Sequence, residues 1–253
     1  MSQKNRVIFW LARADLPYFI EPHEFYVAEA KKRILSQFYD LEKEAYEKEK
    51  EFLMAAEEYY HDDPFAAYDD AHDAGINYLW SLSEMQNTVL LALTAGMYHQ
   101  FDKKLREHTI RELSNWCKRE IITLMVWDLS FHRLCELLEW IGLKISGTKY
   151  GESIKACNLV VNVYKHGDGD AHRKLSCNHP EYYPYATGFR RGKSEPKHDD
   201  LHVSEEQFVS FSDSITSFWK AVPEECYYLD LKEPPTWLDK VVGKVEKKLK
   251  DKE

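Results

Sequence analysis

The segment Asn158-Leu159-Val160-Val161-Asn162-Val163-Tyr164-Lys165-His166-Gly167-Asp168-Gly169-Asp170-Ala171-His172 brings reactive side chains together at helical spacing. Asn162 and His166 are four apart, so on a helix they stack on one face, and Gly167 lets the backbone turn away just after the imidazole. The negative end of a helix favours a protonated ring, which suits a histidine cycling between base and acid near neutrality. The same residues admit a structural reading, with His166 capping the last carbonyls of its helix and Asn162 hydrogen-bonding inside a bundle.

Two other polar clusters invite metal chemistry. Glu58 and His61 stand at i, i+3, and Asp69 and Asp73 at i, i+4. A di-metal carboxylate bundle needs two Glu-x-x-His pairs, and a second does not occur. Acidic residues after a long helix also read as a solvated turn and the start of the next helix, where negative charge is favourable. Cys177, His179, His198 and His202 have spacings that a zinc finger does not use. No metal and no cofactor is expected. Glycine-rich phosphate loops, Gly-x-Ser-x-Gly elbows and His-Glu-x-x-His motifs do not occur.

The elements that position these residues read as helices. Apolar residues recur at spacings near three and four from Pro22 to about Tyr60, with Lys and Glu between them, which predicts one long N-terminal helix over 22–60 ended by Asp62-Asp63-Pro64. Further helices are predicted over 65–105, 110–124, 129–141 and 149–166, the third closed by Gly142. Residues 168–203, rich in Gly, Pro, His, Asn and Asp, read as a long irregular loop before the last core helix. Ser204 and Gln207 form a capping box ahead of Phe208, Phe211, Ile215, Phe218 and Trp219. A tail helix with Trp237, Val241, Val245 and Leu249 on one side follows Pro234-Pro235, and a short strand near Val7–Leu11 remains open. The expected fold class is therefore all-α. It is organised as a long helical arm over 1–64, a helical bundle over 65–228 and a tail helix over 229–253.

An Asn-x-x-x-His segment ending a late helix of an all-α bundle resembles the motif of the HEPN superfamily (higher eukaryotes and prokaryotes nucleotide-binding). The resemblance covers roughly residues 76–222. It implies a metal-independent endoribonuclease of toxin–antitoxin or anti-phage type, pairing as a homodimer across the motif helix, with His166 as base and Asn162 as positioning residue. The family motif carries an arginine that should fall at Leu159, Val160 or Val161, and none of these is basic. In metal-free RNA cleavage a cation must offset charge building on the phosphate. Lys165, Arg173, Arg133 or a residue of a second subunit would have to supply it.

Charge and composition set the remaining bounds. The 253 residues carry 34 Lys or Arg against 43 Asp or Glu, a net −9 that argues against indiscriminate nucleic-acid binding. Residues 144–198 are the exception, with ten basic against five acidic side chains interleaved with Tyr182, Tyr183, Tyr185 and Phe189. Cations beside aromatics suit a single-stranded RNA loop, and equally an irregular loop pinned to its bundle. Lys165, Arg173, Lys174, Arg190 and Arg191 are the candidate RNA contacts. The alternative is a catalytically silent interaction protein (antitoxin, immunity protein or scaffold) that reaches a protein partner through the long helix 22–60. Five widely spaced cysteines and apolar runs too short for a membrane span or a secretory segment imply a cytoplasmic, non-membrane protein.

Overall fold

In the computed structural model, residues 6–56, 64–184, 195–231 and 233–251 are described. The fold is all-α apart from a two-stranded ribbon. In chain order come β1 (Val7–Trp10), α1 (Leu16–Arg33), α2 (Leu41–Ala56), α3 (Pro64–Leu113), α4 (Arg119–Asp128), α5 (Phe131–Ile141), α6 (Lys149–His166), α7 (Asp170–Asn178), α8 (Glu205–Ala221), β2 (Glu225–Tyr227) and α9 (Leu238–Lys250). No described helix is long and apolar enough to cross a membrane.

The N-terminal region is helical as expected, with two helices where periodicity predicts one. Helix α1 starts six residues before Pro22, with Pro17 in its first turn, where a missing N–H costs nothing. The chain leaves helical geometry at Ile34 and turns through a short 3-10 segment, Leu35–Phe38. Leu35 and Phe38 are buried there, and that burial redirects the chain in a way that period counting does not see. The stretch 105–110 shows the reverse. Its polar residues read as a connector, yet α3 runs straight through for 50 residues, about 75 Å at the helical rise. Arg106, His108 and Thr109 are buried in it. The helix predicted over 110–124 is consequently the end of α3, a turn at 114–118, and the start of α4.

The core is organised by α8. Its capping box forms as expected, Gln207 N–H donating to Ser204 Oγ and Ser204 N–H to Gln207 Oε1. Phe208, Phe211, Phe218 and Trp219 are all buried on one side of it. Trp219 lies 4.3 Å from the Phe19 ring and 5.9 Å from Phe101, so α1, α3 and α8 share one aromatic centre. His23 Nε2 lies 2.9 Å from Ser212 Oγ and fastens α1 to α8. Strand β1 pairs antiparallel with β2, Phe9 opposite Cys226, and joins the N-terminal segment to the chain leaving α8. Helix α9 rests against α4, with Val245 buried.

His108 sits inside this core with Phe9 and Phe19 edge-on to its ring at 4.9 and 5.3 Å. Arg111 donates to Nδ1 at 2.9 Å, so the proton of the neutral ring is on Nε2, which has no partner. Glu112 lies 4.0 Å from Nδ1 but is held at 2.9 Å by Arg111, which leaves it little power to stabilise an imidazolium. Burial, and then the Arg111 charge, push the His108 pKa down to about 4.

Two predictions follow from this packing. Between pH 6.5 and about 4 the unfolded chain takes up a proton that folded His108 refuses, so stability falls as pH is lowered through that window, by about 3 kcal/mol from this residue. Urea titrations of wild type and His108→Phe across pH 4–7 will show most of that fall removed in the variant. Separately, a Cβ on Gly151 would stand 1.9 Å from the Ile145 carbonyl oxygen, a backbone atom that cannot swing aside. Gly151→Ala is expected to cost about 3 kcal/mol. Gly243→Ala, in open space on α9, will be neutral or stabilising by up to about 1 kcal/mol in the same titration.

Candidate functional site

Helix α6 is built to present a polar row. Thr148 caps it by accepting from Gly151 N–H at 3.0 Å, and Ile154, Cys157, Val160 and Val161 bury its apolar side. Lys155, Asn158 and Asn162 then face a cleft of about 710 Å³. Its other walls are Tyr98, His99, Asp102 and Arg106 of α3, the α4–α5 turn at Leu129–His132, and Ala171 and Lys174 of α7.

The floor of the cleft is a hydrogen-bonded ladder. Asn158 Nδ2 donates to the Tyr98 hydroxyl at 2.8 Å, and Asn162 Nδ2 donates to Asn158 Oδ1 at 3.2 Å. Asn162 Oδ1 has no donor among the described residues and can accept from a ligand. Burial, reinforced by the nearby Asp102 charge, holds the Tyr98 phenol well above its usual range, so it keeps its proton.

Beside the ladder, Arg106 is engaged through its Nε and Nη1. Its Nε donates to Asp102 Oδ2 at 2.8 Å, its Nη1 to the carbonyls of Val126 and of Leu129 (3.0 Å), and its guanidinium lies 5.9 Å from the Trp127 ring centroid. It thereby closes the C-terminal end of α4, where a cation is favoured. Asp102 Oδ1 is buried with no partner. At the rim, burial and then the Lys165 charge lower the His99 pKa. Lys155 bonds Glu152 and Ser146 at 3.0 and 3.2 Å, and Lys174 has neither ion pair nor hydrogen bond.

The residues singled out from sequence divide between this cleft and its edge. Asn162 and Lys174 line it. His166, the last residue of α6, continues the 158–162 row beyond it, exposed and without a hydrogen bond, so the capping role open to it is not taken up. Lys165 is exposed beside it. Arg173 is paired with Asp170, and Arg133 lies 5.5 Å from the Trp237 ring centroid, so neither guanidinium is free. Arg190 and Arg191 lie outside the described residues, as do Glu58 and His61.

The expected irregular loop over 168–203 is partly helical. Helix α7 forms within it because His172 and Leu175, three apart, bury against the bundle. Gly167 takes φ +66°, and the His198 ring packs 3.2 Å from where its Cβ would be. Asp168 Oδ1 then meets His172 Nδ1 at 2.9 Å and His198 Nδ1 at 3.4 Å, while His179 pairs with Glu181 at 3.1 Å. Cys177, His179, His198 and His202 thus do not converge. Among the described residues no group of three His, Cys, Asp or Glu is arranged to hold a metal.

Tyr98, His99, Asp102 and Asn158 are site residues that sequence reasoning passed over. Asn158 was detectable, being one more step of four back along the Asn162–His166 row. The three from α3 carry no signal until α3 and α6 are side by side. No family model matches this sequence, and neither a curated protein nor a solved structure matches it.

The contrast between engaged and free charges can be measured. Asp102→Ala strands the buried Arg106 cation and is expected to cost about 3–5 kcal/mol in urea denaturation. Lys174→Ala is expected to stay within about 0.5 kcal/mol of wild type, as an exposed unpaired residue should.

Proposed function

We propose that this chain is a HEPN-like, RNA-acting protein. Its polar cleft holds a segment of single-stranded RNA, and His166 serves as the base of a metal-independent cleavage. One observation supports the reading most: the unpartnered His166 imidazole extends the same helical row as Asn158 and Asn162, which line a cleft with Lys155 and Lys174 at its walls.

The chemistry follows from those groups. His166 removes the 2′-hydroxyl proton, the oxygen attacks the adjacent phosphorus, and the P–O5′ bond breaks as the 5′-oxygen takes a proton from water, giving a 2′,3′-cyclic phosphate and a 5′-hydroxyl. Lys165 and Lys174 supply cations near the developing charge. Asn162 Oδ1 orients a ribose hydroxyl or a base N–H. Lysine is a weaker bidentate clamp for phosphate than arginine, and the Nε and Nη1 of Arg106 are held by Asp102 and two carbonyls, so a guanidinium from a second copy would complete the site in a homodimer. A cytoplasmic toxin–antitoxin or anti-phage setting belongs to the same proposal. The absence of a basic residue at 159–161 also favours a second reading, in which the cleft binds RNA and does not cut it.

The test is incubation of total RNA and purified tRNA with the protein in EDTA, with end-group analysis. Wild type is expected to give cyclic-phosphate ends, and His166→Ala to lose at least about 100-fold in rate. Equal cleavage by the variant would remove His166 from the mechanism. RNA binding without cleavage by wild type would establish the second reading, and absence of both would sink the RNA proposal.

A further inference from the structure

The α2–α3 arm has a construction of its own. Helix α2 packs on the first part of α3 through a seam of small residues, Ala45 and Ala56 against Ala67, Ala71 and Gly75. None of these belongs to the contiguous apolar core of the bundle. The backbones come close, a Cβ on Gly75 lying 3.2 Å from the Ala45 carbonyl oxygen, and the seam has no room for large side chains. The large ones are turned outward. Phe65 is 83% exposed, Trp80 66% and Tyr68 62%.

With Ile76, these residues fall within about 120° of arc at 100° per residue, an arc that begins beside the seam at Tyr68 and turns away from it at Trp80. Covering them would hide roughly 400–500 Å² of apolar surface, the size of the largest apolar patch on a monomer, which is often a functional surface. Asp69 lies in the same sector and Asp73 about 20° past its edge beside Trp80, both exposed. Residues 41–84 hold thirteen acidic side chains against three lysines, so this stretch carries −10 and the rest of the chain +1.

Charge decides what covers the stripe. RNA and anionic lipid surfaces are repelled by the same aspartates. A second copy docked stripe to stripe would set acid against acid along the contact. A segment with apolar residues at helical spacing, flanked by Lys or Arg, satisfies both features. Its apolar side seats on Phe65, Tyr68 and Trp80, and its cations pair with Asp69 and Asp73 or stack on the indole. From Phe65 to Trp80 the stripe is about 22 Å long, the length of a four-turn helix.

We infer that the outer face of the α2–α3 arm is the docking surface for a basic, amphipathic helical segment of another protein. This is independent of the RNA reading, since the cleft lies on the far part of α3.

The test uses the full chain and a fluorescein-labelled 14-residue peptide of leucine and lysine in helical phase, with a twin in which every lysine is glutamate. In anisotropy titrations at low salt the lysine peptide is expected to bind at least 30-fold more tightly than its twin. The Phe65→Ser/Trp80→Ser double variant is expected to weaken it tenfold or more. Asp69→Asn/Asp73→Asn should weaken it about fivefold at low salt and little at 0.5 M salt. All four positions are exposed, so unchanged denaturation midpoints will certify folding, and His166→Ala should bind the peptide as wild type does. Equal binding of both peptides, or undiminished binding by the Phe65→Ser/Trp80→Ser variant, would overturn the inference. So would a self-association in sedimentation that this variant abolishes, because the stripe would then belong to a second copy.

Discussion

The buried guanidinium of Arg106 sits where α3, the end of α4 and the α4–α5 turn meet, and each of these needs it. The last carbonyls of α4 have no intrahelical donors, and Arg106 supplies donors to Val126 and Leu129. The charge is tolerable inside because Asp102, one turn earlier on α3, neutralises it. The α4–α5 turn is thereby held as one wall of the cleft while Tyr98 faces Asn158 across it. Removing the pair would release the wall as well as the charge. A site that depends on a rigid back needs this kind of fixture, and here the same arginine also forms part of the cleft wall.

Helix α3 connects two surfaces of opposite character. Its first part carries aromatic and acidic side chains into water, and its middle lines a cleft edged by Lys155 and Lys174. Residues 41–84 hold −10 of a total of −9, so the modest overall acidity conceals a strong asymmetry. A polyanion would be steered away from the arm and toward the bundle, and a basic protein segment the other way. Two partners of opposite charge could therefore occupy one chain without competing. About 27 Å of helix α3, from Trp80 to Tyr98, separates them.

How much of this was legible in the chain varies by element. The spans over 129–141 and 149–166, the Ser204–Gln207 capping box and the amphipathic tail were readable because each is set locally, by period and by cap chemistry. The break after Arg33 was not, since Leu35 and Phe38 turn the chain only by finding burial elsewhere. The passage of α3 through Arg106-Glu107-His108-Thr109 was hidden for a related reason. Polar residues read as solvent-facing until their partners are in place, and those of Arg106 come from residues twenty and twenty-three positions on. Helix α7 offered only His172 and Leu175 as a buried pair, too short a signal among polar neighbours.

The sequence by itself determined an all-α chain, the i, i+4 row that places Asn162 and His166 on one helix face, and the concentration of acid in residues 41–84. These depend on residue type and on spacings of three or four, which a helix enforces whatever surrounds it. Only the tertiary structure decided that Asn158 and Asn162 line a cleft with Tyr98 and Asp102, that the Nε and Nη1 of Arg106 are engaged while Lys174 pairs with no described residue, and that Phe65, Tyr68 and Trp80 stay in water. Each of these outcomes turns on which side of a helix meets a neighbour. That choice is made by packing between residues far apart in the chain, and local periodicity carries no record of it.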